Sequence, residues 1–363
     1  MAAPNAAPAP KPHRLESIEG QARALSLLTG AIAADRYPNA WLFAGPTGVG
    51  KFSAAMAVAA AANCQSGEES GGGLFGGGAP AKKEARTDAC GVCASCRKIA
   101  AGNHPDVRVV RVPPEKKQIP IELVREAIAE LSYRPYEGRR RFVIVDGAEF
   151  MMPQAANALL KTLEEPPAHS TWILVAPSPS RLLATVVSRC RIVRFGALEV
   201  DVASKILQRE AKMEPHDARA VAALLGGSVG RALGPEAELF SREARAQVID
   251  DTLDAVASGA KVLDVAESWD KRNKDEDVPL GVALEQLSLW LRDIAVWQAD
   301  QDDARLLHSD LSDRTAKTGR RASPAAVARA FDAVRRCVLD LQGNVNAKLA
   351  LETMFLALRK ELA

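Results

Sequence analysis

The sequence predicts an α/β domain built on a parallel sheet, then a small helical domain, then an all-helical bundle. Three observations carry that expectation. Short apolar runs, Ala40–Ala44 (AWLFA), Arg141–Val145 (RFVIV) and Trp172–Ala176 (WILVA), recur between helical stretches in the first half of the chain. Strands covered by helices on both faces read as continuous apolar runs of this kind. A Gly-rich turn leads from the first run into Phe52–Ala62, whose alanine content favours helix over strand. Beyond Phe195 strand signals nearly vanish, and helical periodicity continues to the C-terminus.

Taken in order, residues 1–14 are an Ala/Pro-rich tail expected to be disordered. Residues 15–195 form the α/β domain. It is interrupted over 66–88 by a low-complexity insert with seven glycines between Gly67 and Gly78, again expected to be disordered. Residues 196–240 form the small helical domain, with helices over Val200–Met213 and Asp217–Leu225 and a break at Gly226–Gly230. Residues 241–363 form the bundle, where Leu284, Leu287, Leu291 and Ile294 make one apolar stripe suited to core packing. A chain of 363 residues is long enough for two or three such cores.

Composition excludes several classes. A net charge of +2 rules out a polycation wrapped on nucleic acid, so any such contact comes from a local patch or from partners. No apolar run approaches the roughly 20 residues of a membrane-spanning helix, and the N-terminus lacks the apolar core of a secretory signal. A cytoplasmic protein without a membrane partner is expected. The six cysteines are not spread as a disulfide framework.

The turn from Gly45 to Lys51 reads GPTGVGK between strand and helix, the context of a P-loop. Its backbone N–H groups and the following helix N-terminus favour phosphate, and Lys51 is placed to reach the terminal groups. The bland alternative is a tight strand-to-helix turn that binds nothing. The position after the lysine, where a hydroxyl would hold magnesium, is Phe52. Ser53 does not replace it, because one residue rotates the side chain by roughly 100°. The RFVIV strand ends in Asp146, a candidate metal ligand or turn cap, but Gly147 stands where a water-polarising glutamate belongs. Gly45, Gly48, Gly50 and Lys51, with Asp146, therefore keep a cradle for ATP while lacking parts needed to hydrolyse it.

Cys90, Cys93 and Cys96 supply three thiols at CxxC spacing, and Cys64 supplies a fourth across the Gly-rich insert. Four thiolates suit tetrahedral zinc in a closed, structural site; reduced thiols or a redox pair are the alternative. A longer loop between ligands adds little closure entropy. Cys190 and Cys337 are isolated and suit the core.

Asn157–Pro167 reads NALLKTLEEPP, and Ser188–Cys190 reads SRC after LLATVV. With the P-loop turn, the cysteine cluster, SIEGQ at Ser17–Gln21 and HPDVRVV at His104–Val110, they resemble the AAA+ clamp-loader subunits of bacterial DNA polymerase III. The resemblance covers residues 15 to 235 closely and the C-terminal bundle in helical character only. It implies a P-loop AAA+ domain, a helical lid and a helical collar that assembles with other subunits. It also implies that Arg189, in the SRC triplet, is an arginine finger reaching a neighbour's nucleotide.

Departures from the active members lie at Phe52, Gly147, Ala176-Pro177 and Gly230, where Arg231 is one position displaced. Together they resemble the delta-prime type of subunit, which does not hydrolyse ATP. The implied partners are the tau/gamma and delta subunits, the sliding clamp, and primer-template DNA through the assembled complex. Two other readings are an ATP-hydrolysing subunit of the tau/gamma type and a zinc-dependent nucleic-acid-binding protein. The second finds no aromatic residue in Cys90–Cys96 for base stacking.

Overall fold

The computed structural model describes residues 12–66, 87–234, 237–274, 279–343 and 345–363. The expected disorder of the first residues and of the Gly-rich insert lies largely outside these. Two compact units divide the chain, residues 1–198 and 199–363.

The first unit is a five-stranded parallel sheet flanked by helices. Its strands are β1 (Ala40–Ala44), β2 (Val107–Val110), β3 (Arg141–Asp146), β4 (Ser170–Ala176) and β5 (Arg191–Arg194), in the order β2-β3-β4-β1-β5. The helices are α1 (Ala22–Ala33), α2 (Lys51–Asn63), α3 (Ala94–Ala100), α4 (Ile121–Leu131), α5 (Pro153–Glu164) and the short α6 (Ala184–Val187). The three apolar runs are the central strands, buried throughout in β1 and β4 and between the partly buried Arg141 and Asp146 in β3, because both faces are covered. Trp41 and Phe43 of β1 join one core with α1 and α2, whereas Ala40, Leu42 and Ala44 join the other with α4 and α5. That is the period-two alternation of a strand.

The two edge strands, VRVV and RIVR, are not singled out by an apolar run. An edge strand is less covered, so each carries exposed Arg beside its buried Val: Arg108 in β2, Arg191 and Arg194 in β5. Helix α2 has little polar face because it needs little: every residue from Ala54 to Asn63 is buried. Asn63 closes its C-terminus by accepting from the Arg139 and Arg140 amides at 2.9 and 3.0 Å and donating to the Arg140 carbonyl at 2.9 Å. Helix α5 begins with Pro153 at its first turn and ends at Glu164, before Pro166-Pro167. Leu159 and Leu163 are fully buried, Leu160 only partly.

In the second unit α7 (Val200–Glu210), α8 (Pro215–Leu224) and α9 (Val229–Ala232) precede α10 (Arg242–Ala257), α11 (Gly259–Lys274), α12 (Leu280–Asp300), α13 (Ser312–Arg321), α14 (Pro324–Gln342) and α15 (Ala347–Leu362). The break expected over Gly226–Gly230 is shorter. Gly226 and Gly227 turn the chain with left-handed φ, and α9 then starts at Val229, burying Val229 and Ala232. Leu284, Leu287, Leu291 and Ile294 of α12 all face the core, with Trp290, Val327 and Phe355 around them. Ser241, Ser323 and Asn346 cap α10, α14 and α15 by accepting from the amide three residues on.

Candidate functional site

The Gly-rich turn leaves the sheet at the C-terminal end of β1, and Asp146 ends β3 on the far side of β4. In an open parallel sheet this is the edge where ligands bind. The β4 position between them is Ala176, followed by Pro177, so β4 contributes no polar group there. The turn fits only glycine at position 45: a Cβ there would lie 2.2 Å from the Phe195 carbonyl oxygen. Gly48 and Gly50 carry φ of 77° and 96°, and α2 begins at Lys51.

Lys51 is buried, and its Nζ donates to the carbonyls of Gly45 and Pro46 at 2.6 and 2.5 Å. Burial pulls its pKa below the ordinary lysine value, against the opposite pull of Glu149 and Asp146. Glu149, in the turn after β3, carries no motif in the sequence but is near enough for its charge to act on this lysine. Burial pushes its carboxyl above the usual range, and its Oε2 is buried without a hydrogen-bond partner among the described residues. Gly147 has φ of 81°, and a Cβ there would meet the Phe150 ring at 3.0 Å. A glutamate at 147 would therefore be strained as well as absent.

Asp146 is not a free carboxylate. Arg111, one residue past β2, donates from Nε to its Oδ2 at 3.0 Å, and the same guanidinium lies 4.2 Å from the centroid of the Phe52 ring. No apolar run marks β2 in the sequence, so nothing local signals that Arg111 reaches Asp146. Given the register Val110↔Val145, positions 111 and 146 follow as neighbours.

The four predicted thiols come together. Cys64 at the end of α2 and Cys90, Cys93 and Cys96 around the start of α3 place their sulfurs within 4.8 Å of one another. The Cys90–Cys96 and Cys64–Cys93 sulfur pairs are each 4.0 Å apart. Zinc–sulfur bonds of about 2.3 Å in a tetrahedron require sulfurs roughly 3.8 Å apart, so the cluster has the size of a four-thiolate zinc site. Amides of Cys90, Cys93, Cys96 and Gln65 point at the sulfurs of Cys64, Cys90, Cys93 and Cys93 at 3.4–3.5 Å. Burial raises the Cys90 thiol, but hydrogen bonds from the Val92 and Cys93 amides and the Cys64 and Ser66 side chains together bring the pKa down to about 6. Burial raises Cys96. Next to the cluster Ser95 Oγ and buried His104 Nε2 are 3.0 Å apart, so His104 of the HPD segment is a packing residue.

Arg189 lies just past α6, on the surface. It donates to Glu164, the first glutamate of LEEPP, with Nε–Oε1 at 2.8 Å, and to the Thr185 carbonyl at 2.9 Å. Arg231 is engaged elsewhere, with both terminal nitrogens on Glu285 at 3.0 and 2.8 Å. Cys190 is partly buried in the first unit, where burial raises its pKa to about 12, and Cys337 is buried in the second. Among the described residues no helix is long and apolar enough to cross a membrane.

Residues 20–199 match the family model described as DNA polymerase III, delta subunit, and residues 241–360 match its C-terminal counterpart. The chain is 31% identical to DNA polymerase III subunit delta' of Pseudomonas aeruginosa, over 88% of this chain and 91% of that protein. It is 29% identical to subunit delta' of Bacillus subtilis, over 95% and 98%. Subunit tau of Escherichia coli matches at 30% over 61% of this chain but only 31% of its own length.

Proposed function

The chain belongs to the DNA polymerase III subunit delta' family, and we propose that it is a non-hydrolysing scaffold of the clamp loader that lends Arg189 to a neighbouring ATPase subunit. One observation carries the non-hydrolysing part. The P-loop and the β3 carboxylate meet at the same edge of the sheet, yet Phe52 and Gly147 occupy the positions of the metal hydroxyl and the catalytic base. Phosphoryl transfer depends on positioning a metal and a water, and neither has its side chain here. The partners in this reading are tau/gamma and delta subunits, the sliding clamp, and primer-template DNA through the assembled ring, in the bacterial cytoplasm. Residues 196–240 serve as lid and 241–363 as collar.

Arg189 suits a role in trans for two reasons. A guanidinium stays charged and offers a planar fork of donors to a phosphate. It sits on the surface, in an exposed ion pair with Glu164 that contributes about 0–1 kcal/mol and is exchanged readily. The cysteine cluster supports one structural zinc held by Cys64, Cys90, Cys93 and Cys96. A closed four-thiolate shell leaves no position for substrate, so the ion would tie the end of α2 to α3 and do no chemistry.

The test is reconstitution with tau/gamma and delta subunits. Arg189→Ala is expected to leave ring assembly intact and to lower DNA-stimulated ATP turnover per assembled ring at least tenfold. An unchanged turnover per ring would remove Arg189 from the mechanism. Magnesium-dependent turnover by the isolated chain, abolished by Lys51→Ala, would instead favour an ATPase of the tau/gamma type.

A further inference from the structure

Magnesium does not fit the phosphate loop of this chain. The ion takes near-octahedral oxygen ligands at roughly 2.0–2.1 Å, and in such loops the hydroxyl after the lysine and a carboxylate ending a nearby strand help to hold it. Here Phe52 stands at the first position and Asp146 at the second, and a single side chain engages both. The Arg111 guanidinium lies 4.2 Å from the Phe52 ring centroid and its Nε is 3.0 Å from Asp146 Oδ2. It thus occupies the space between the two groups that would anchor the metal.

The sheet dictates this placement. In the parallel β2/β3 register Val110 lies beside Val145, so residues 111 and 146 leave the sheet side by side. A phenyl ring has no lone pair for a hard cation, but its face attracts a guanidinium. An exposed ion pair alone would be a weak restraint. The stack on Phe52 adds a second one, and together they hold a permanent positive charge against Asp146.

We propose that Arg111 is a built-in replacement for the divalent cation, making the loop selective against metal-complexed nucleotide. The proposal rests on reading residues 45–51 as a phosphate cradle. Phe52 by itself removes one ligand and would leave Asp146 able to hold a hydrated ion. Arg111 removes that second anchor, so the two residues act as a pair.

The experiment uses the full chain, fluorescently labelled ADP, and Mn²⁺ as a paramagnetic stand-in for magnesium. For the unaltered protein, EDTA is expected to change ADP affinity less than twofold, with no ADP-dependent bound Mn²⁺ in the electron paramagnetic spectrum. Phe52→Thr/Arg111→Ala is expected to gain bound Mn²⁺ with ADP and an affinity that EDTA lowers at least tenfold. Arg111→Ala alone, a surface change that leaves the core intact, should gain several-fold in Mn²⁺ retention through Asp146. EDTA-sensitive binding by the unaltered chain would overturn the assignment. So would a folded single variant with no gain in Mn²⁺. Adding Lys51→Ala to the double variant separates the two readings. If the gained binding survives that change, the phosphate-cradle reading fails, while the place of Arg111 is upheld.

Discussion

Asp106 shows how one side chain can hold a loop. Its carboxylate accepts from the amides of Tyr136, Glu137 and Gly138 at 2.7–2.9 Å, and Arg141 Nε lies 3.3 Å away. Burial, the largest single influence, pushes its pKa upward. The three amides and Arg141 together outweigh it and hold the pKa below the ordinary 3.8. A depressed carboxyl stabilises the fold above its unfolded pKa, and that stability is lost as pH falls through the folded value. Asp106→Asn puts an NH₂ where an acceptor is needed, and is expected to cost about 1–3 kcal/mol at pH 7. The gap from the unaltered protein should stay constant from pH 7 to 5 and narrow below pH 3.8. Urea melts at pH 7, 5 and 3 check this; a gap that widens in acid would contradict the account.

At the scale of elements, the cysteine cluster joins the end of α2 to α3 and to the chain entering α3 from the Gly-rich insert. α3 is a seven-residue helix, too short to be stable alone, with Cys93 as its N-cap accepting from Cys96. Metal would therefore be the main support of this element, since the chelate energy is folding energy. Protein purified without added zinc is expected to hold one ion per chain. Cys93→Ser or strong chelation should release it and expose the α3 segment to hydrogen exchange, while β1, β3 and β4 stay protected. A zinc-free preparation with α3 fully protected would refute the structural role. The same scale accounts for the missing base. The turn after β3 takes a left-handed residue at Gly147, so a side chain there is strained, and Glu149 two residues on is the glutamate whose charge acts on Lys51.

At the scale of the molecule, each unit has its own core, and each encloses charge: Lys51 and Asp106 in the first, Arg245 and Asp293 in the second. Arg245 and Asp310, whose side chains are almost fully buried, form a two-pronged pair at 2.8 and 2.6 Å. Close by in sequence, Asp293 accepts from the His308 amide at 2.8 Å and pairs with its ring. Removing one partner of a buried pair strands the other. Arg245→Ala is thus expected to cost about 3–5 kcal/mol, and replacing both residues by apolar ones of similar size much less. Thermal unfolding followed through Trp269, Trp290 and Trp297 of this unit should show the loss. Equal costs for the single and double replacements would show that the pair is not what holds the unit.

The sequence by itself determined the parallel-sheet class, the three central strands, the glycine turn between β1 and α2, the four clustered thiols and the α12 stripe. Each is written in adjacent residues or in a short fixed spacing: an apolar run, a glycine pattern, CxxC, a helical period. The tertiary structure alone decided that Arg111 neutralises Asp146 over Phe52, that Glu149 is buried near Lys51, that Glu164 holds Arg189, and that VRVV and RIVR are edge strands. Arg111 lies 35 residues from its ion-pair partner and Arg189 lies 25 from its own, so no local period records either pair. Their meeting depends on strand order and register, because parallel neighbours are joined only through crossovers that bring distant segments side by side.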